Sequence, residues 1–280
     1  MALKFLRSRQ RRSDNALRSA LGDAALPSFP SIVLKTLEVI REPTATAADI
    51  GHSLAGDPEL IVRILRLVNS GAFGSRRPIT AIDHAVAMAG TGAVESIVLS
   101  VGVASSLGDQ GLLGSEKKGF WRAASNRAVV AKLFAKRLHP ETSDLCFTGG
   151  LLQDMAVPLL VEHHEGYRAV FDQWQTSGRD LQSLEQDAFG WDHAEIGGWL
   201  CEEWGLPVEL CEIVSCHHED SDGLPPAMRL ASLCQQYASP DESEQIATMA
   251  CTRFGVPITE SEELLKQANA ESLGIARLLG

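Results

Sequence analysis

Apolar residues recur along this chain at three- and four-residue intervals, and almost nowhere in strict alternation, so the pattern predicts helices throughout. Pro30 opens a segment with Val33, Leu34, Leu37 and Ile40 on one face, closed before Pro43. Thr46 and Asp49 have capping-box spacing ahead of Ile50 and Leu54. Asp57-Pro58 reads as an N-cap followed by proline at the first helical position, where a missing N–H costs nothing. The helix it starts aligns Leu60, Ile61, Ile64, Leu65 and Val68, and Asn69-Ser70-Gly71 predicts a left-handed stop. Thr80 and Asp83 repeat the capping spacing before Ile82, Val86 and Met88; after Gly90 and Gly92, Val94, Ile97, Val98 and Val101 resume an apolar helix.

The second half reads the same way. Phe120 to Leu138 is long and amphipathic, and Asp144 to Leu160 is apolar on most sides, as one central helix would be. Asp192 to Trp204 ends at Gly205, and Pro207 restarts a helix that runs to Cys216-His217-His218-Glu219. Pro226 opens another through Leu230, Leu233 and Tyr237, and Thr259 with Glu262 caps a terminal helix carrying Leu264, Leu265, Leu273, Ile275 and Leu278. Trp121, Trp191, Trp199 and Trp204 are expected core anchors. The glycine-rich polar stretch 107–117 is the predicted linker between a helical subdomain over 22–106 and a second one beginning at 118.

Composition narrows the function classes. With 280 residues and 45% apolar content the chain can bury a sizeable core. It has no run of eighteen apolar residues, so no membrane span is expected, and its start lacks the order of a secretory signal. The six cysteines form no CxxC pair, which predicts reduced, mostly buried thiols in a cytoplasm. Net charge is −11, and it is uneven: Lys4, Arg7, Arg9, Arg11, Arg12 and Arg18 against Asp14 give residues 1–20 a charge of +5 and leave −16 on the rest. That balance disfavours nucleic acid as a partner. The arm itself reads as a solvated terminus, with a membrane-surface or docking tail and an Arg-rich transit peptide as alternatives.

Five histidines lie between 163 and 218 among acidic residues. Imidazoles and carboxylates brought together from different helices suit Fe, Mn or Zn, and metal-bound water attacks phosphoesters. Taken singly, each histidine is more simply a core or surface residue. In the first half, Arg63, Arg66, Asn69, Arg76 and Arg77, with Phe73 in the SGAFG turn, form a potential anion or partner surface, against the plainer reading of a solvated helix face.

The strings FWRAASNRAVVAK, FTGGLLQDMA, DHAEIGGWL and VSCHHE, in that order, resemble the HD superfamily of metal-dependent phosphohydrolases. LPSFPSIVLKTLEVI, ADIGHSLAGDPELIVRILRLVNSGAFG and PITAIDHAVAMAG resemble more specifically the HDOD proteins, its output-domain relatives, and residues 241–280 resemble the extension that follows such domains. The resemblance implies an all-α fold of two packed helical subdomains, the second an HD-like helical bundle over 118–240, within an HDOD domain over 21–240.

Residue by residue, the resemblance places the superfamily's first metal-binding histidine at Ala123, the histidine of the paired motif at Gln153, its aspartate at Asp154 and the distal aspartate at Ser232. The extra histidines of cyclic-dinucleotide phosphodiesterases correspond to His193, His217 and His218. Alanine has no lone pair, and serine and glutamine are weak neutral donors, so the expectation is a vestigial pocket with no metal and no other cofactor; a reduced set of Asp154, His193, His217 and His218 is the alternative. The implied protein is a non-catalytic bacterial regulator that contacts signalling partners such as kinases or cyclic-dinucleotide enzymes, or senses a ligand. Its rival is a metal-dependent phosphohydrolase.

Overall fold

The computed structural model describes residues 20–21, 26–73, 78–108, 111–219, 223–234 and 240–280. The basic arm up to residue 19, together with Arg76, Arg77 and Tyr237, lies outside them. Among the described residues there are helices and turns and no strand, in agreement with the all-α expectation. The helices are α1 (Ser31–Arg41), α2 (Ala47–Ser53), α3 (Pro58–Val68), α4 (Ile82–Ala89), α5 (Thr91–Leu107), α6 (Ser115–Leu138), α7 (Ser143–Leu152), α8 (Ala156–His163), α9 (Tyr167–Ser177), α10 (Leu181–Phe189), α11 (His193–Glu203), α12 (Val208–Cys216), α13 (Pro226–Ala231), α14 (Pro240–Phe254) and α15 (Ile258–Leu279).

Contacts group the chain into two compact units. One gathers Met1–Ser28, Leu107–Leu113 and Gln153–Ser221, and the other Phe29–Ser106, Gly114–Leu152 and Asp222–Gly280. The grouping differs from a single cut at 107–117, because α6 and α7 cluster with the first-half helices and with the C-terminal segment.

In the larger unit α6 is the central element, packed by α7, α13 and α15. Every residue from Ala123 to Ala135 in it is buried, which a single amphipathic face could not produce. Gly150 shows how close α7 comes. A Cβ there would stand 2.9 Å from the Arg127 carbonyl oxygen and 3.1 Å from Ala128 Cα, so the two backbones nearly touch. Lys132 is buried on α6; its Nζ donates to Asp144 Oδ1 at 3.0 Å and lies 3.6 Å over the Phe73 ring. Burial lowers the Lys132 pKa, and the Asp144 charge opposes that shift.

Several predicted boundaries hold. Thr46 and Asp49 form the capping box of α2, and Asp57 Oδ1 accepts the Leu60 N–H at 2.9 Å ahead of α3. Others are corrected. No left-handed residue ends α3: Asn69 has φ −81°, and its side chain binds the Leu65 and Ile79 carbonyls at 2.7 and 2.8 Å while accepting the Ile79 N–H. A side-chain cap has replaced a backbone one. Ala81 and Pro257, which precede α4 and α15, make no capping bond with their side chains. The continuous helix expected over 144–160 is broken into α7 and α8 by a turn at 153–155. The apolar stretch Pro140–His163 is long enough to cross a membrane by composition, but it contains this turn and most of it is buried within the protein.

The smaller unit holds α8 to α12. Trp191 and Trp204 are buried there, as Trp121 is in the other unit, while Trp199 is only half-buried. All six cysteines are free thiols. Burial pushes Cys146 up to about 11 and Cys234 to about 12, which suppresses the reactive thiolate. A thiol reagent applied to native protein is therefore expected to modify the half-buried Cys216 and Cys251 first. Cys146 and Cys234 are expected to react only on unfolding, as peptide mass mapping of the labelled protein would show.

Candidate functional site

The turn that breaks the expected central helix carries the paired motif. Gln153 is buried there, and its Oε1 has no hydrogen-bond partner among the described residues. Asp154 follows it with a side chain 22% exposed. His193 stands at the first position of α11, because Asp192 caps that helix: Asp192 Oδ1 accepts the Ala194 and Glu195 N–H groups, each at 3.0 Å. Burial raises the Asp192 pKa, but these bonds and those from the Gln182 and Gln186 amides outweigh it and hold the carboxyl below its usual range. His217 and His218 follow directly on α12.

Two glycines set how closely α11 and α12 approach. A Cβ on Gly197 would lie 2.9 Å from Val214 Cγ1, and one on Gly198 would lie 2.5 Å from Ser215 Cβ. With hydrogen at both places, the end of α12 comes against α11 and the three histidines meet.

Asp154 Oδ1 is 3.4 Å from His217 Nε2 and 3.6 Å from His193 Nε2. His218 Nε2 is 3.0 Å from His193 Nε2. One ligand atom from each histidine lies within 4.8 Å of the other two. Each inner ring is fixed through its far nitrogen. His193 Nδ1 lies 2.7 Å from Glu185 Oε2, and His217 Nδ1 lies 2.7 Å from the Val214 carbonyl oxygen. His218, exposed as a residue, lays its ring 4.0 Å from the centre of His217 and 4.8 Å from that of His193.

The electrostatics follow from this crowding. Burial drives the His193 pKa down, yet the Glu185 charge and the Asp154 contacts outweigh it and raise the pKa well above the ordinary imidazole range. Burial of the His218 ring, then electrostatic repulsion from the neighbouring His217 and His193 rings, pushes His218 down to about 2. So the cluster holds a basic ring at its buried end and a neutral one at its edge.

The arrangement fits a divalent transition metal. Metal–nitrogen bonds of about 2.0–2.1 Å place neighbouring donors roughly 3–3.4 Å apart, close to the separations of 3.0, 3.4 and 3.6 Å found for three of the pairs. His217 Nε2, buried and without a hydrogen-bond partner among the described residues, is a donor such an ion would use. Ala123 and Ser232 belong to the other unit, where Ala123 is buried in α6 and Ser232 Oγ donates to the Met228 carbonyl. His163 and His164 are not in the cluster; His164 packs on Phe189 and Trp191.

In the larger unit, the residues marked from the sequence as a partner surface have other contacts. Arg63 donates to Ser105 Oγ at 2.8 Å, Asn69 is held by its cap, and Phe73 packs edge-on to Phe147 under Lys132. Arg66 is exposed.

Sequence reading missed Glu185 and Tyr167. Glu185 is fully buried on α10 and accepts the Tyr167 O–H on Oε1. The signal was present: Leu181, Leu184 and Glu185 share the apolar face of a helix, where an unpaired acid has no place.

Among the described residues the fold is all-helical, with a histidine–aspartate cluster at a helix break. The HDOD domain profile matches residues 26–220, and the chain belongs to the HDOD family. An uncharacterized protein of Treponema pallidum is 26% identical over 200 residues, 69% of this chain; the chain spans 37% of that relative's length. A Shewanella amazonensis structure described as a candidate phosphohydrolase matches with a TM-score of 0.74 at 22% identity, covering 91% of this chain and 95% of its own. A Marinobacter aquaeolei structure described as a candidate signal transduction protein matches with a TM-score of 0.70 at 15% identity, covering 97% of this chain and 66% of its own. At those identities the likeness is one of fold.

Proposed function

We propose that this chain is a non-catalytic signalling module whose vestigial HD pocket holds a single divalent metal ion as a sensing element. One observation carries the reading: Asp154 Oδ1 faces Nε2 of both His193 and His217, and each ring is tethered through its other nitrogen. Imidazoles locked in this way are ready to ligate, since no rotamer search precedes binding. The alanine, glutamine and serine that stand where the superfamily has its other ligands supply no comparable donor, which favours one ion over the pair used for phosphoester cleavage. A bound ion would supply Lewis acidity and a coordination position open to an anionic ligand. Asp154, His193 and His217 would hold it, with His218 closing the side toward solvent. The signalling role, a cytoplasmic location and partners such as kinases or cyclic-dinucleotide enzymes rest on membership of the HDOD family and on the description of the Marinobacter protein.

The test is metal analysis of the purified protein together with hydrolysis of a model phosphodiester under added Mn or Fe. About one ion per chain and no turnover is the expected result. No ion, even after incubation with Mn, Fe and Zn, would overturn the metal reading. Turnover that disappears in His193→Ala would replace the non-catalytic reading with a phosphohydrolase.

A further inference from the structure

Glu185 is fully buried between α10 and the start of α11, and a carboxylate in that position must be satisfied by its neighbours. It is satisfied on both oxygens. Oε1 accepts the Tyr167 O–H, while Oε2 accepts the His193 N–H at 2.9 Å and faces His193 Nδ1 at 2.7 Å. An ionised carboxylate only accepts, so the nitrogen 2.7 Å from it must carry a proton. That leaves Nε2, the nitrogen facing Asp154 and His218, as the one a metal ion can take in exchange for a proton. The Val214 carbonyl does the same for His217, but as a neutral dipole. Glu185 adds a full negative charge, which makes the His193 ring a stronger donor. Tyr167 in turn fixes the carboxylate, and Phe189 and Trp191 stack against its ring at 5.9 and 6.5 Å.

We infer that Glu185 is a positioning residue: held by Tyr167, it fixes the tautomer and aim of His193 so that Nε2 serves as a metal ligand. The inference rests on reading the pocket as a metal site. Glu185→Gln keeps the shape of the side chain and removes its charge. Titrated with Co²⁺, the variant is expected to bind 10- to 100-fold more weakly than the unaltered protein, with shifted visible absorption bands, and to melt lower without metal, since its amide N–H₂ must face a donor that the carboxylate accepted. In metal-free protein, the His193 Nδ1 proton is expected far downfield in NMR spectra and displaced upfield in Glu185→Gln. Tyr167→Phe, which leaves the carboxylate in place, is expected to weaken Co²⁺ binding by a smaller factor and serves if the first variant does not fold. Unchanged affinity and an unchanged Nδ1 proton in the variants would overturn the inference. Should the unaltered protein take no Co²⁺, the metal reading fails, and the Nδ1 proton still decides the hold of Glu185 on His193. A proton that is absent, or indifferent to the variants, overturns it, and one that moves sustains it.

Discussion

Asp154→Asn is expected to weaken divalent-metal binding at least about 100-fold, or roughly 2.7 kcal/mol, the scale at which a single ligand decides occupancy. Asp154 supplies negative charge to two imidazole nitrogens at once, at 3.4 and 3.6 Å. The asparagine keeps the volume and offers a weaker neutral oxygen, so the change isolates charge from packing. Thermal unfolding provides the second readout. A ligand that binds only the folded state stabilises it by about 2.7 kcal/mol at a hundred times its dissociation constant. The unaltered protein should therefore melt higher in Zn²⁺ or Mn²⁺, and Asp154→Asn should melt at the same temperature with and without metal. Wild-type affinity in Asp154→Asn would show that any bound ion sits elsewhere.

How far the sequence reveals this pocket depends on which physical effect is at issue. Capping is local, so Thr46 and Asp57 could be placed by type and spacing alone, and both cap the helices predicted for them. The turn at 153–155 could not be placed that way. The residues from Cys146 to Leu160 are buried on nearly every side, which leaves no polar face whose phase could jump at the break. The Asn69 cap depends on Ile79, ten residues away, and the absent left-handed stop reflects that tertiary bond winning over the local signal.

The convergence of Asp154 with His193, His217 and His218 is a product of packing. The resemblance paired those positions with a superfamily's ligands, but only the approach of α11 to α12, together with the turn at 153–155 that carries Asp154, brings three nitrogens and an oxygen near one another. The helix carrying Glu185 was not among those expected, although Asp180 caps it and Gly190 ends it, and the role of Glu185 depends on α9, α10 and α11 together. A buried-face acid is the one trace it leaves in the sequence.

The approach of α11 to α12 yields the other large effect, which two alanine substitutions bring out. Gly→Ala inside a helix ordinarily stabilises, by up to about 1 kcal/mol, because alanine loses less backbone entropy on folding. Gly274, exposed on α15 with nothing within 4 Å of its would-be Cβ, should show that gain. Gly198→Ala should reverse the sign, since its Cβ would lie 2.5 Å from Ser215 Cβ and 3.2 Å from Ser215 Cα. The Cα is backbone and cannot rotate aside, so α12 has to move. Overpacking of this kind costs about 1–3 kcal/mol, more than the helix propensity returns. The displacement also reaches the pocket: Ser215 is two residues from His217 and adjacent to Val214, whose carbonyl tethers the His217 ring. Gly198→Ala is therefore expected to lower the urea midpoint and weaken metal binding together, while Gly274→Ala raises the midpoint and leaves binding unchanged. Equal, stabilising effects from both substitutions would mean that α11 and α12 have room to spare, and that the histidine cluster does not depend on their contact.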